Sequence, residues 1–386
     1  MPRFASLIGE GMRARGHDVH YWTSPHWFGR MAVKCPLSAR KWLGYIDQFL
    51  IFPLLLWFRV AAQPPDTTFV VADQALGMWV PIISHRLHVV HCHDFLAQRS
   101  AMGEFPEKTT GWTGRKYQDL IRRGYRRARN FISVSNKTRT DLHRFLNSES
   151  ILSEVVYNPL NYPFTPLDRQ AALALLPSQH QAALSRGFIL HVGGGQWYKN
   201  REGVLNIYRE YCRRCLSALP LLMVGAAPDE QIRSLSSAVG RSGDVFFVTD
   251  CLNQEVHAAY AAANVLLFPS LEEGFGWPIA EAQASGCLVI TTDEAPMNEV
   301  GGNAAIYLRR RPMTKNDAED RLWAEEGAKL LAEVLEMPFE QRRAKIAEGL
   351  ENVKRFNIDE TLDAYEKIYK SIRNGIEDVT DSALAG

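Results

Sequence analysis

The chain has 386 residues, 46% hydrophobic and 23% charged, an ordinary globular composition with length enough for two cored domains. Lys and Arg number 44 against 43 Asp and Glu, so the formal net charge of +1 gives no whole-chain case for a nucleic-acid partner. Six cysteines are scattered; the close pair Cys212 and Cys215 lacks the second pair a zinc site needs, and all six read as buried or free thiols.

Met1 leads straight into an amphipathic helix, Phe4 to Arg15, closed by Gly16. No signal-peptide pattern precedes it, which predicts a cytoplasmic address. HDVHYWT (17–23) alternates like a strand. YIDQFLIFPLLLWFRVAA (45–62) is strongly apolar, yet Asp47, Pro53 and Arg59 interrupt it short of the roughly 20 clean residues of a bilayer crossing. That stretch predicts a packed or surface-lying helix. Strands follow at 67–72, 88–93 and 131–135. Between the last two, RKYQDLIRRGYRRARN (115–130) interleaves arginines with aromatics; it either solvates an outer face or meets anionic lipid at the inner face of the membrane.

YNPLNYPFTPLD, rich in proline and asparagine, places a domain boundary within 157–168. The second half offers strands at 188–192, 219–225, 244–249, 264–270 and 287–292. Short apolar runs alternating with helical patterns argue for α/β architecture: two Rossmann-like doubly wound domains, 1–160 and 161–354, with an amphipathic C-terminal helix in 355–386. In such sheets ligands bind beyond the carboxyl ends of the strands.

The loop after strand 188–192 reads Gly193, Gly194, Gly195, then Gln196-Trp197-Tyr198-Lys199-Asn200. Glycines let peptide N–H groups approach a phosphate, a helix N-terminus adds partial positive charge, and Lys199 adds a full one. A dinucleotide fingerprint fails, because its third glycine is Tyr198. PSLEEGFGWPIAEAQASG (269–286) carries Glu273 in a glycine turn and Glu281 in the following helix, with Pro278 at its first position and Gly286 at its end. Two carboxylates eight residues apart suit separate hydroxyl groups of one elongated ligand, such as a nucleotide sugar.

This E-x7-E block, with RGHDVHYWT, HVVHCHD, FISVS, VVYNP, HVGGG with KN, AYAAANVLLFPS and NEVGGNAAIYL, resembles the retaining glycosyltransferases of family 4, which have the GT-B fold. The resemblance implies that the C-terminal helix crosses back to the first domain. It also implies a nucleotide-diphosphate sugar donor, UDP- or GDP-linked, and a saccharide or lipid-linked saccharide acceptor, with no nucleic-acid partner. By the same resemblance Glu281 binds the ribose and Glu273 the donor sugar, while Lys199 neutralises the leaving diphosphate. Gly193, Gly194, Gly195, Asn200, Gly274, Phe275 and Gly276 line the donor, and Cys251 and Leu252 frame its base. His93 contacts the sugar near the reacting carbon; Asp94 and Arg3 fall to the acceptor side. His91 and His93 are equally readable as packed strand residues, and Asp94 as a helix cap.

No D-x-D occurs, so no metal or other cofactor is expected, and with no carboxylate nucleophile in view same-face attack is expected. Family members commonly begin with a strand and a glycine loop ahead of the first helix, whereas this chain starts inside that loop. The expectation is an internal start or a first domain without that central strand. Many relatives also pair an arginine with the loop lysine; here either Arg201 compensates or Lys199 carries that charge alone. A non-catalytic nucleotide-sugar-binding partner and a GT-B nucleotide-sugar epimerase are the alternative readings.

Overall fold

The structure, a computed structural model, describes residues 2–25, 27–28, 43–146, 150–240, 243–313 and 316–384. Two all-parallel sheets organise it. The first holds β1 (Phe69–Val71), β2 (His88–Cys92), β3 (Asn130–Ser133) and β4 (Leu152–Val155) in that order. The second holds β5 (Ile189–Gly193), β6 (Leu221–Gly225), β7 (Val245–Val248), β8 (Val265–Phe268), β9 (Leu288–Thr292) and β10 (Ile306–Leu308), in the order β10-β9-β8-β5-β6-β7. Helices cover both faces of these sheets, which is why β2, β8 and β9 are buried at every position and show no apolar–polar alternation.

In the second sheet β5 has β6 on one side and β8 on the other. Strand order therefore reverses there, and the loops after β5 and β8 diverge around a crevice, the usual ligand position in open α/β sheets. Those are the two loops that carry Lys199 and Glu273.

Three expectations about strands change. Residues 17–23 lie outside both sheets without regular secondary structure: Arg13 in α1 (Pro2–Ala14) donates to the Val19 carbonyl at 2.6 Å, and His17 lies 2.9 Å from Glu366. Side chains of two helices thus hold a segment whose alternation suggested sheet pairing. β4 and β10 are additional short edge strands, the latter formed within NEVGGNAAIYL.

Leu43–Ala61 is helical throughout, passing Asp47 and Pro53 by way of a π-helical turn at Asp47–Ile51, with α2 spanning Phe52–Ala61. By length and composition it is sufficient to cross a membrane. Its inner face, Phe52, Leu56 and Val60, packs on Phe69 and Ile83, while Leu50, Leu54, Trp57 and Phe58 are exposed, so it is a surface-lying helix in this fold.

The remaining elements that position the site are α3 (Leu96–Ala101), α4 (Trp112–Tyr125), α5 (Asn136–Phe145), α6 (Arg201–Arg214), α7 (Trp277–Ala284) and α8 (Ile358–Leu384). α8 crosses back to the first domain, as the resemblance implied. Leu362, Tyr365 and Ile372 pack with Ile8, Met12, Val89 and Ile132, the Tyr369 hydroxyl lies 2.7 Å from His91 Nε2, and Arg15 pairs with Asp363 at 2.8 Å. The described cysteines are free thiols.

Candidate active site at the strand-order reversal

After β5 the chain turns through Gly193–Gln196 into a short 3-10 turn, Trp197–Lys199, and Asn200 takes left-handed backbone, φ 51, ahead of α6. Asn200 then serves the fold: its side chain accepts from the Gly203 N–H and from Arg311, and donates to the Pro269 carbonyl at 2.8 Å. That brace ties the β5 loop to the β8 loop. Lys199 Nζ reaches Glu273 Oε1 at 2.7 Å, and the Ser270 hydroxyl donates to the same oxygen at 2.7 Å. Both ions are mostly buried, with side-chain exposures of 14% and 9%, so the pair sits in a medium where charge interacts strongly.

The β8 loop enters α7 through Gly276, whose φ of 104 only glycine adopts without strain. α7 begins at Trp277, one residue before the proline expected there, and Pro278 fits the first turn, where no N–H partner is missed. Glu281 projects from α7 and accepts from the buried Tyr260 hydroxyl at 2.9 Å. Phe275 is buried between Tyr157, Trp277 and Phe356, so its ring belongs to the core.

From the first domain, β2 delivers His93 and Asp94. The backbone N–H of His93 donates to Gln74 Oε1 at 2.8 Å, and Gln74 Nε2 donates to the Asp94 carbonyl. His93 Nε2 lies 2.9 Å from the Ala72 carbonyl oxygen, which only accepts; Nε2 therefore carries the proton and Nδ1 keeps a lone pair. Burial lowers the pKa of His93 and raises that of Asp94, the latter also against the charges of Asp73 and Glu273. Asp94 Oδ1 caps α3 by accepting from the Leu96 N–H at 3.0 Å, so the cap reading is part of its geometry. His91 is enclosed by Phe4, Tyr365 and Tyr369, its Nε2 2.7 Å from the Tyr369 hydroxyl, and the same Phe4 ring stands edge-on to His93 at 4.3 Å, so His91 is the packed member of the pair.

The two halves touch here. The Gly274 carbonyl accepts from Ser135 Oγ at 2.8 Å and Thr138 Oγ1 at 3.2 Å, and a Cβ on Gly274 would fall 2.0 Å from the His93 carbonyl oxygen. Arg99 of α3 grips Glu272 with both terminal nitrogens, at 2.7 and 3.2 Å, while its Nε holds Glu104 at 3.0 Å. Glu299 accepts from the N–H and side-chain amide of Asn136, each at 2.7 Å.

The site thus gathers His93, Asp94, Lys199, Gly274, Glu273 and the Gly193–Gly195 turn. Leu252 points outward, 70% exposed, with its N–H capped by Glu255 at 2.7 Å; Cys251 is half-buried beside it. Arg201 is buried under Phe247 and donates to the Ala227 carbonyl, away from Lys199's partner. Arg3's side chain lies outside the described residues. Sequence reasoning missed Gln74, Arg99, Tyr198, Tyr260 and Glu272, which act through contacts distant in the chain. Tyr198 has a signal in hindsight: it sits inside the glycine loop, and its hydroxyl is raised by burial and by the charges of Glu273 and Asp94. Among the described residues, no three His, Cys, Asp or Glu side chains converge to hold a metal.

Two doubly wound halves meeting over such a cleft define a GT-B glycosyltransferase architecture. The fold is shared with HepE of Anabaena, solved with UDP and glucose (TM-score 0.63, 17% identity, 84% of this chain and 83% of that one). It is also shared with the α,α-trehalose 6-phosphate synthase of Burkholderia multivorans (TM-score 0.63, 12% identity, 98% and 83%). The family described as Glycosyltransferase Family 4 matches residues 1–162, and that described as Glycosyl transferases group 1 matches residues 175–349. With both halves matched, the chain belongs to the family-4 type of GT-B glycosyltransferases. O-antigen chain mannosyltransferase B of Escherichia coli is 26% identical over 181 residues, 46% of this chain and 47% of that protein. An O-antigen chain mannosyltransferase of Salmonella typhimurium is 23% identical over 194 residues, 50% of each. The chain therefore spans about half the length of these curated relatives.

Proposed function

We propose that this chain is a retaining hexosyltransferase that uses a UDP- or GDP-linked sugar and a saccharide or lipid-linked saccharide acceptor, in cell-surface polysaccharide or glycolipid assembly. The observation that carries this reading is the Lys199–Glu273 pair at the strand-order reversal, facing His93 and Asp94 across the domain junction. An incoming diphosphate competes for Lys199 and frees Glu273 to accept from a sugar hydroxyl. The Gly193–Gly195 amides add donors to the phosphate oxygens. Glu281, oriented by Tyr260, accepts from the ribose hydroxyls. His93 Nδ1 accepts from a hydroxyl of the transferred sugar, as a neutral ring can.

Reaction on a single face follows. The acceptor oxygen attacks the anomeric carbon on the side from which the diphosphate departs, the bond between that carbon and the phosphate oxygen breaks, and the acceptor's proton passes to the leaving oxygen. The sequence 1–160 supplies the acceptor side and 161–354 the donor side. We place no divalent cation in this scheme, because Lys199 and peptide amides meet the departing charge. The names of the O-antigen relatives support the glycan context.

Thermal-shift titration with uridine, guanosine and adenosine diphosphate sugars tests the donor assignment. One donor is expected to raise the melting temperature, and Glu281→Ala is expected to weaken that binding about tenfold or more, as for a lost hydrogen bond to a charged group. Unchanged affinity in Glu281→Ala would remove the donor site from this loop. Turnover that collapses with a chelator and returns with a divalent cation would overturn the cation-free scheme.

A further inference from the structure

The π-helical turn Asp47–Ile51 that leads into α2 meets α4, joining the outer faces of the two helices. Gln48 Nε2 donates to the Tyr117 hydroxyl at 3.3 Å, and the Phe49 and Tyr117 rings meet edge to face with centroids 6.1 Å apart. Along the helical stretch Leu43–Ala61, Leu50, Leu54, Trp57 and Phe58 recur at helical spacing with more than half of each residue exposed. Along α4 the exposed residues include Trp112, Arg115, Lys116, Tyr117, Leu120 and Arg123. Large apolar side chains gathered in this way on an outer face mark an interaction surface.

Charge selects the partner. Residues 112–129 carry seven Lys and Arg against the single Asp119, a local charge of +6 in a chain whose total is +1, so everything else sums to −5. Asp119 engages Arg122 at 2.6 Å and Arg123 at 2.8 Å, while Arg115 and Lys116 have no carboxylate partner among the described contacts; Arg115 donates to the Thr110 carbonyl and Lys116 sits over the Trp112 ring. Aromatic and leucine side chains adjoining a concentrated cationic row match an anionic lipid surface, whose headgroups attract the cations while rings and aliphatic chains enter the interface. A second copy of this chain would set one cationic row against another.

We infer that the joined α2–α4 face docks the protein on an anionic bilayer. α2 lies in the interface and does not cross it, because crossing would strip Phe52, Leu56 and Val60 from their packing on Phe69 and Ile83. A cavity of about 350 Å³ lined by Met102, Trp112, Arg115 and Lys116 opens beside this face. It shares Gln98 and Gln118 with a smaller one of about 110 Å³ that reaches Gln74 and Asp94. Docking therefore brings the acceptor side of the cleft to the lipid surface; this last link rests on the proposed function, whereas the docking itself does not.

Vesicle sedimentation without any sugar substrate tests it. The full chain is expected to pellet with phosphatidylcholine vesicles containing phosphatidylglycerol, to stay in solution with phosphatidylcholine alone, and to be released by high salt. Trp57→Glu with Phe58→Glu is expected to abolish pelleting. Lys116→Gln and Arg123→Gln are each expected to weaken it roughly fivefold. Circular dichroism of every variant should match the parent, since all four positions are exposed. A parent chain that ignores anionic vesicles, or glutamate variants that pellet undiminished, overturns the docking face. Concentration-dependent dimers that the glutamate variants abolish would overturn it in favour of self-association. Donor binding is read separately by thermal shift, so loss of one property leaves the other standing.

Discussion

The two halves of the cleft use opposite electrostatics. The second domain presents formal charge, with Lys199 and Glu273 paired and Glu281 held by a tyrosine. The first presents groups that burial drives toward their neutral forms: His93 lowered, Asp94 raised, Asp73 raised. On the proposed function, the polyanionic end of the donor meets the charged side and sugar hydroxyls meet the other. The joint lies beside the cleft, where Arg99 of the first domain grips Glu272 in the loop after β8.

Breaking the joint should have the largest effect. Arg99→Ala leaves Glu272, only 6% exposed at its side chain, as an uncompensated buried charge, and should cost about 3–5 kcal/mol in urea unfolding. Arg99→Met with Glu272→Leu should recover most of that loss, and failure to recover would show that Arg99 does more than neutralise. Removing charge from the donor side comes next: Lys199→Ala should lower turnover about a hundredfold or more at saturating donor, as when one preorganised charge stabiliser is lost. Near-normal turnover would end the contrast between the halves.

Acid sharpens it. Burial pushes His91 down to about 3 and His191 to about 4, against about 6.5 for an unfolded histidine. Below that value the unfolded chain takes up protons the folded chain refuses, so stability is full above about pH 6.5 and falls as pH drops toward 4. Urea midpoints at pH 7 and pH 5 should differ by on the order of 2 kcal/mol for each histidine. Equal midpoints would place charged imidazole inside the fold. The smallest effect belongs to Tyr260→Phe, which removes one hydrogen bond to Glu281 and should weaken donor binding about fivefold by calorimetry.

Most of the architecture was legible where local pattern and buried position agree. β2, β8 and β9 read as short strands without apolar–polar alternation because both faces are covered, and the E-x7-E block marks loop and helix by its own glycines and proline. HDVHYWT misled because alternation reports a segment with two unlike faces, not what those faces meet; here α1 and α8 hold it, through Arg13 and Glu366. The three-residue β10 is too short to show a period. Arg99 and Glu272 are 173 positions apart, and neither side chain announces its partner. The two-sided role of Asp94, cap and cleft carboxyl, was visible as two readings that the fold combines.

The absence of a side chain at Gly274 makes that residue a ruler. One methyl group there would stand 2.0 Å from the peptide oxygen of the opposing domain, with the Asp94 Cβ at 2.9 Å, so the smallest possible enlargement becomes a wedge. The spacing between the halves is set by bare backbone against bare backbone, and any relative that carries alanine at this place must hold its domains farther apart.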